Sequence, residues 1–275
     1  MVLVYHRIGV PRSPCLIPTV LEEEFRSHLE TLQAIGEIVP VSRLLAERRS
    51  TRLRFALTFD DDDLCHVDVV LPILLEQGLH ATFFLSGRSL HGLGPYWFQA
   101  LENLVRDRGV VAVAELLGVV GRDAHELASI CETSPPLQAK LEAADERQTE
   151  ALNEAQLAVL SGAGMGIGFH SLHHRPVTAL ENADLEIALT EGRSNLEAAA
   201  GVPITFFAYP HGKADARIAS RVRAAGYEAA WTGWPNPITR RADPFLLGRW
   251  EPGAIPSSEL VLRATGRVAR PRMSH

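Results

Sequence analysis

The sequence predicts an α/β protein in which parallel strands close into a barrel. Short runs of β-branched and aromatic residues alternate with amphipathic helical patterns along most of the chain. Glycines stand where helical patterns stop, at Gly78, Gly201 and Gly226, as is common at helix C-termini. Strands separated by single helices are typical of parallel βαβ units. A succession of about five or more such units favours a (β/α) barrel over two separate domains.

The individual elements follow from local pattern. Apolar β-branched or aromatic runs predict strands, and apolar residues spaced three or four apart predict helices. The predicted strands are 1–5, 53–59, 81–85, 165–169, 204–208 and 227–231, and the predicted helices are 21–35, 67–77, 180–200 and 217–225. Residues from about 94 to 160 are rich in Ala, Leu and Glu and predict several helices without a strand. We therefore expect one domain over residues 1–275, with a helical insertion at about 94–160 and a frayed tail beyond residue 263.

Composition limits the functional classes. The 275 residues are 46% apolar and 22% charged, with a formal net charge of -6. Nucleic-acid binding requires a basic surface, so this balance argues against such a partner. No stretch reaches the roughly 18 apolar residues of a membrane span. The N-terminus lacks the basic and apolar segments of a secretion signal, and the cysteines are scattered and odd in number. We therefore expect a cytoplasmic protein with free thiols.

The first chemical motif is the aspartate run from Asp60 to Asp63, directly behind the strand at 53–59. Barrel enzymes keep their chemistry where strands end at the carboxyl rim. Carboxylates from Asp60 and Asp61 could reach that rim where the chain turns. The alternative is a solvated acidic loop in which Asp62 or Asp63 caps the next helix, and we prefer it for these two residues.

The second motif is a histidine pair, His170 and His174, behind the strand at 165–169. Neutral imidazoles at this spacing on a turn can bind one cation, and zinc accepts both His nitrogen and Asp oxygen. His173 is the competing second ligand. A histidine pair alone is more often structural, but with a carboxylate from another strand end it predicts a metal site.

Together these motifs resemble those of the NodB-homology polysaccharide deacetylases, carbohydrate esterase family four. The resemblance rests on TFDD at Thr58 to Asp61 and on the HSLHH stretch that begins at His170. Weaker support comes from VYHRI, ATFFL, FFAYPHG and GYEAAW. It extends over about residues 1–249, apart from the helical insertion.

The resemblance implies a distorted (β/α)7-type barrel with a divalent metal at its mouth. Zinc is the expected ion, with cobalt, nickel and manganese as alternatives. By position in the motifs, Asp61, His170 and His174 would be the ligands and Asp60 the general base. The expected partner is an acetylated sugar or glycoconjugate, and oligomerisation is left open.

The chain departs from the family pattern at its third motif. The usual R-x-P-Y is here Ala208 to His211, so the arginine that steadies the base is missing, and Arg249 is the candidate substitute. By position in this motif, Tyr209, Pro210 and His211 are the expected substrate- and oxyanion-binding residues, and the backbone N–H of His211 would hold the oxyanion.

The family's closing L-x-H motif is also absent. Some members are circularly permuted and carry that histidine on the first strand, which makes His6 the candidate general acid. The alternative is that His6 only makes a hydrogen bond at the strand end. Asp62 replaces a glycine of the family and was expected to tolerate a positive φ angle there. We expect Trp231 to line the cleft, as Trp234 could, with core packing as the alternative for each.

The predicted function is hydrolysis of an N-acetyl or related acyl group on an amino sugar, glycan or glycosylated small molecule. An O-acetyl esterase is a close variant. Two alternatives are a carbohydrate-binding pseudoenzyme, suggested by the missing arginine and Asp62, and an iron oxygenase with two His and one Asp ligand. The βα pattern disfavours the oxygenase.

Overall fold

A computed structural model describes residues 1–47, 51–145, 151–236, 238–239 and 241–267. The strands are β1 (Val2–Tyr5), β2 (Arg7–Ile8), β3 (Thr19–Val20), β4 (Gly36–Ile38), β5 (Leu53–Asp60), β6 (Ala81–Leu85), β7 (Gly166–Phe169), β8 (Phe206–Ala208) and β9 (Ala229–Trp231). The helices are α1 (Glu22–Ile35), α2 (Val41–Ala46), α3 (Leu71–Glu76), α4 (Trp97–Leu117), α5 (Ala124–Glu132), α6 (Pro135–Ala144), α7 (Glu154–Gly162), α8 (Asn182–Thr190), α9 (Arg193–Ala200), α10 (Ala216–Ala224) and α11 (Ser257–Ala264).

The main sheet is parallel and runs in the order β1, β5, β6, β7, β8, β9, with β4 beside the start of β5. A short segment, residues 245–251, closes the sheet into a ring and is called the closing segment below. The Leu247 N–H donates to the Ala230 carbonyl at 3.0 Å, and the Val4 N–H donates to the Trp250 carbonyl at 3.0 Å. The closing segment makes only isolated bridges to β9 and β1, which distorts the ring. The predicted (β/α)7-type barrel is confirmed.

The two faces of the strands bury different apolar sets because side chains alternate along a strand. Outward-facing residues such as Leu57 and Phe83 pack against the surrounding helices in one large cluster. Inward-facing residues such as Ala56, Phe84 and Trp231 form a second cluster, which α2 also contacts. The barrel interior is therefore a filled core that supports the residues at the rim.

Several predicted boundaries differ from the structure. The helix expected at 180–200 is divided into α8 and α9, because Gly192 between them has a φ of 83°. A π-helical turn at His66–Val70 precedes α3. The strands β2 and β3 are two residues each, too short for a periodic signal.

Helices α4 to α7 lie between β6 and β7, and the described part of that segment contains no strand. Helices α4, α5 and α6 share their own apolar cluster, which includes Leu101, Leu117, Leu127 and Leu141, whereas α7 packs on the main cluster through Leu157 and Leu160. Residues 146–150 of the expected insertion and the end of the expected tail lie outside the described residues. The assignment of one domain to residues 1–275 stays a prediction. Within the described ranges, no helix is both long and apolar enough to cross a membrane.

Candidate metal centre and catalytic site

The candidate site residues meet at the carboxyl rim of the barrel. Asp60 ends β5, and His170 follows β7 directly. His6 follows β1, and the segment at 210–212 follows β8. Parallel strands bring these chain positions to one edge, so residues far apart in sequence line one cavity.

Asp61, His170 and His174 form a cluster whose ligand atoms all lie within 4.8 Å of one another. The Oδ1 atom of Asp61 is 3.8 Å from Nε2 of His170 and 3.7 Å from Nε2 of His174. These separations are too long for hydrogen bonds. Ligand atoms bound tetrahedrally to zinc lie roughly 3.4 Å apart, given metal–ligand distances near 2.1 Å. The spacing therefore suits one shared cation better than direct pairing.

The state of Asp61 supports the same interpretation. Its Oδ1 atom is buried and has no hydrogen-bond partner among the described residues. Burial, together with the negative charges of Asp60, Asp62 and Asp63, raises the pKa of Asp61 to about 7, although His6 opposes the rise. The protein therefore compensates this carboxylate only in part, and a divalent cation would supply the remaining positive charge.

The two imidazoles are oriented as ligands. Nδ1 of His170 lies 2.8 Å from the Ala208 carbonyl, which places the proton on Nδ1 and leaves Nε2 free to bind a metal. Burial lowers the pKa of His170 to about 4, against the opposing charge of Asp60. The ring of His174 packs between Tyr96 at 5.1 Å and His211 at 4.7 Å, measured between ring centroids.

His173 is placed elsewhere. Its Nε2 atom pairs with Glu191 at 3.2 Å, and the side chain is 45% exposed. The H-x-x-x-H spacing, rather than the shorter one, brings the second imidazole to the cluster.

Asp60 lies beside the cluster and is bound by Arg249. The guanidinium donates to both carboxylate oxygens, at 2.6 and 2.7 Å, and both side chains are buried. Burial alone would raise the pKa of Asp60, but Arg249 and His170 outweigh it and hold the pKa well below its usual range. Oδ2 of Asp60 is 3.8 Å from Nε2 of His170, so an ionised carboxylate borders the candidate cation position.

His6 lines the same cavity and is paired with Glu251, which sequence reasoning missed. Nδ1 of His6 lies 2.8 Å from Oε1 of Glu251. Burial favours the neutral ring, but the charge and hydrogen bond of Glu251 outweigh it and raise the pKa of His6 to about 9. The missed signal is spacing: Arg249 and Glu251 are two residues apart, as are side chains on one face of a strand.

The prediction of a solvated loop at Asp62 and Asp63 is wrong, because both side chains are buried. Asp62 accepts hydrogen bonds from the backbone N–H groups of Ser86, at 2.8 Å, and Arg88, at 3.2 Å. Asp63 pairs with Arg7 at 2.9 Å and caps the next turn by accepting from the Cys65 N–H at 3.0 Å. Both carboxylates therefore stabilise the backbone segments around the site through hydrogen bonds and an ion pair, and neither faces solvent.

The segment at 209–212 follows β8, and its expected contribution to the site is a backbone N–H group rather than a side chain. Tyr209 lines the cavity, but its side chain is fully buried and its hydroxyl donates to the Phe245 carbonyl at 2.8 Å, so the hydroxyl is already engaged within the protein. Pro210 is buried as well. His211 and Gly212 line the cavity, and Nε2 of His211 lies 3.3 Å from the His174 carbonyl.

The prediction that Trp231 lines the cleft is wrong. Its side chain is fully buried in the barrel interior, where it packs against Phe84 and Phe206 with centroid distances of 5.4 and 5.2 Å. Small residues on the neighbouring strands, Ala208 among them, leave room for this large ring. Trp234 is half-buried and outside the cavity lining.

Backbone strain is concentrated at the site. Among the described residues, the non-glycine residues with positive φ are Asp61 at 70°, Ser171 at 65°, His174 at 49° and His211 at 58°. The positive φ therefore falls on Asp61 rather than on Asp62, where the family's glycine led us to expect it. Such conformations cost on the order of 1 kcal/mol each and commonly mark functional sites.

The cavity above this cluster has a volume of about 310 Å³. Its base is formed by Asp60, Asp61 and the histidines. Its walls come from the loop at 16–18 and from helices α4 and α5 of the insertion. The insertion thus forms part of the site.

This chain resembles a known protein family in sequence and known structures in fold. The polysaccharide deacetylase family matches residues 48–230 of this chain. No curated protein matches it in sequence.

Solved structures resemble it in fold. The Streptococcus pyogenes deacetylase PplD, in complex with acetate, has a TM-score of 0.67 and 14% identity over 96% of each chain. IcaB from Ammonifex degensii has a TM-score of 0.64 and 20% identity over 96% of this chain and 95% of its own. A polysaccharide deacetylase from Bacillus cereus has a TM-score of 0.66 and 15% identity over 96% of this chain and 67% of its own.

Proposed function

This chain belongs to the polysaccharide deacetylase family, and from that premise we propose that it is a metal-dependent hydrolase of N-acetylated amino sugars. The observation that carries the proposal is the convergence of Asp61, His170 and His174 within 4.8 Å, next to an ionised Asp60. Two imidazoles and one carboxylate suit zinc, and they leave coordination positions open.

Asp61, His170 and His174 would hold the ion. When bound there, a divalent cation would acidify a water molecule and polarise the acetyl carbonyl. Asp60 is placed to accept a proton from the attacking water, because its depressed pKa keeps it ionised at neutral pH. The backbone N–H of His211 is the candidate donor to the oxyanion.

The leaving amine needs a proton, because it departs as a very poor anion. His6 is protonated at neutral pH, since Glu251 raises its pKa to about 9. As the C–N bond breaks, His6 donates this proton to the amine nitrogen. Hydrolysis of an amide therefore requires proton donation by His6. Hydrolysis of an O-acetyl ester requires it less, because an alcohol is a better leaving group than an amine.

Two departures from the family pattern motivated the alternative of a binding protein without turnover. Arg249 provides a guanidinium at Asp60, and Asp62 is engaged with the loop after β6. Because each departure has a structural explanation, neither one favours a binding protein without turnover. The zinc identity, the cytoplasmic location and any oligomer stay predictions.

The test combines metal analysis with acetate release. The purified protein is analysed for bound zinc, cobalt, nickel and manganese and is then assayed on N-acetylglucosamine glycosides and chitin oligomers. Asp60→Asn is expected to keep the metal and to lose roughly a hundredfold to ten-thousandfold in kcat. Asp68→Asn, an exposed aspartate nearby, is the matched control. Metal binding without acetate release from any acetylated substrate would favour the binding protein.

A further inference from the structure

Helix α5 of the insertion has two distinct faces. One face, with Ala124, Leu127 and Cys131, is buried in the apolar cluster of the insertion. The opposite face, with His125, Ala128, Ser129 and Glu132, lines the cavity above the candidate metal centre. Spacings of three and four residues keep each set on one side of the helix. The insertion core therefore fixes a polar helix face toward the catalytic residues.

The position of α5 is held at both ends. The Asp123 side chain caps the helix by accepting from the Glu126 N–H at 2.9 Å. At the other end, the Gln138 amide of α6 donates to the carbonyls of Cys131 and Glu132, at 2.9 and 3.1 Å. A wall fixed in this way keeps its polar groups in place for a ligand.

The chemistry of the wall suits a sugar. Glu132 offers a carboxylate that can accept hydrogen bonds from hydroxyl groups, and Ser129 and His125 can donate or accept. Trp97 and Phe98, at the start of α4, line the same cavity and present aromatic surface to the apolar face of a sugar ring. Glu132 and His211, which carries the candidate oxyanion donor, line the same cavity.

The size of the cavity limits what can enter. Its volume of about 310 Å³ is at the lower end of the usual range for ligand pockets. One acylated sugar residue fits this volume better than several joined residues. The loop at 16–18 adds a second wall, which restricts passage of a polymer across the site.

We propose that α5 is the recognition wall for a single N-acetylhexosamine residue, either free or at the end of a glycan, with Glu132 and Ser129 binding its hydroxyl groups. This inference rests on the proposed function and adds to it the size of the substrate and the residues that select it. His125, Ser129 and Glu132 act in specificity, since none of them belongs to the candidate metal cluster or to the pairs that Asp60 and His6 form.

The experiment compares a sugar substrate with one that has no sugar. Para-nitrophenyl acetate needs the hydrolytic groups but not the wall. The variants are Ser129→Ala, Glu132→Ala and the triple variant that adds His125→Ala. Glu126→Gln, on the same helix but paired with Arg122, is the control. The sugar probes are the methyl glycosides of N-acetylglucosamine and N-acetylgalactosamine, chitobiose and chitohexaose.

We expect the triple variant to lose about tenfold or more in kcat/KM on the best sugar probe, since lost hydrogen bonds to buried groups cost this much. Hydrolysis of para-nitrophenyl acetate should stay unchanged, as should both activities of Glu126→Gln. On chitohexaose, fragment mass spectrometry should locate the lost acetyl group on a terminal residue.

The other outcomes separate the two proposals. Internal deacetylation of chitohexaose, or equal loss on both substrate types, would overturn the recognition wall. The recognition wall would also be overturned if the protein hydrolyses the aryl ester, but no sugar probe is hydrolysed and none competes with the ester for the site. If neither the ester nor any sugar probe is hydrolysed by the metal-loaded protein, the proposed function itself fails.

Discussion

Arg249 donates one hydrogen bond to each carboxylate oxygen of Asp60, at 2.6 and 2.7 Å, and both side chains are buried. The two residues are brought together only by the closure of the barrel ring, since Asp60 ends β5 and Arg249 lies in the closing segment. The pair keeps the candidate base ionised and fixes the plane of its carboxylate. The position of Arg249 is the one expected for a substitute of the missing third-motif arginine.

Removing Arg249 should strongly destabilise the fold. Arg249→Gln leaves the Asp60 carboxylate buried without its partner, so we expect the free energy of unfolding to fall by about 3–5 kcal/mol in urea denaturation. Because the pKa of Asp60 is depressed in the folded state, the pair stabilises the protein above the unfolded carboxyl pKa of about 3.9. The difference between variant and wild type should therefore shrink as the pH falls below that value. Arg26→Gln, which removes an exposed pair with Glu76, is the control and should change stability little; an equal loss there would contradict this expectation.

The second prediction concerns the protonation of His6. Glu251→Gln removes the charge that raises the His6 pKa to about 9, so the pKa should move down toward its ordinary value of about 6.5. A general acid must be protonated, so kcat falls as the pH rises through the pKa of His6. The alkaline limb of the kcat profile should therefore shift to lower pH in this variant. The stability that His6 contributes is present below about 6.5 and is lost as the pH rises through the folded pKa.

The control for His6 is Glu259→Gln, an acid-to-amide change at a partly exposed ion pair with Arg263, away from the cavity. Its alkaline limb should coincide with that of the wild type. An unshifted limb in Glu251→Gln would show that His6 is not the group that titrates there.

The third prediction is that the insertion helps to hold the metal. Tyr96 packs against the ring of His174, and Phe98 packs on both, with centroid distances of 5.1 Å or 5.4 Å. Groups that orient a ligand typically affect metal affinity by about tenfold or more. We expect Tyr96→Leu to weaken zinc binding by about that factor in chelator competition. Leu141→Ala removes a buried side chain of the insertion cluster and is the control for instability; comparable loss of zinc affinity there would refute a local effect.

The fourth prediction separates structure from ligation at Asp62. Asp62→Gly leaves the N–H groups of Ser86 and Arg88 without the carboxylate they bind. We expect the free energy of unfolding to fall by roughly 1–3 kcal/mol for each buried group left unsatisfied. Zinc affinity should not change, because the Asp62 carboxylate is engaged by Ser86 and Arg88 and is not part of the ligand cluster. Weaker zinc binding at unchanged stability would instead identify Asp62 as a ligand.

The sequence predicted those parts of the fold and site whose signal is local. Periodicity located β5, β6 and β7, and the motifs directly behind them place Asp60 and His170 at the rim. Contacts made by ring closure had only a weak signal, the spacing of two residues between Arg249 and Glu251, so Glu251 was missed. Its distance in sequence from His6 is large, and the closing segment is too short for a strand pattern.

The wrong predictions have a common physical origin. Polarity alone suggested that Asp62 and Asp63 are solvated, but their partners, Ser86 and Arg7, are distant in sequence and bury them. Trp231 was expected in the cleft because it ends a strand. Which face of the strand it occupies depends on the space left by its neighbours, and a single sequence does not specify that space.

The closing segment has a consequence for how the protein matures. Residues 245–251 are synthesised after all three candidate ligands, yet they supply the partners of Asp60 and His6. A chain that extends only as far as β9 contains the three candidate ligands but not the partners that set the protonation of Asp60 and His6. Those partners arrive when the closing segment completes the ring, so the protonation of the candidate base and acid depends on the last part of the barrel to be synthesised.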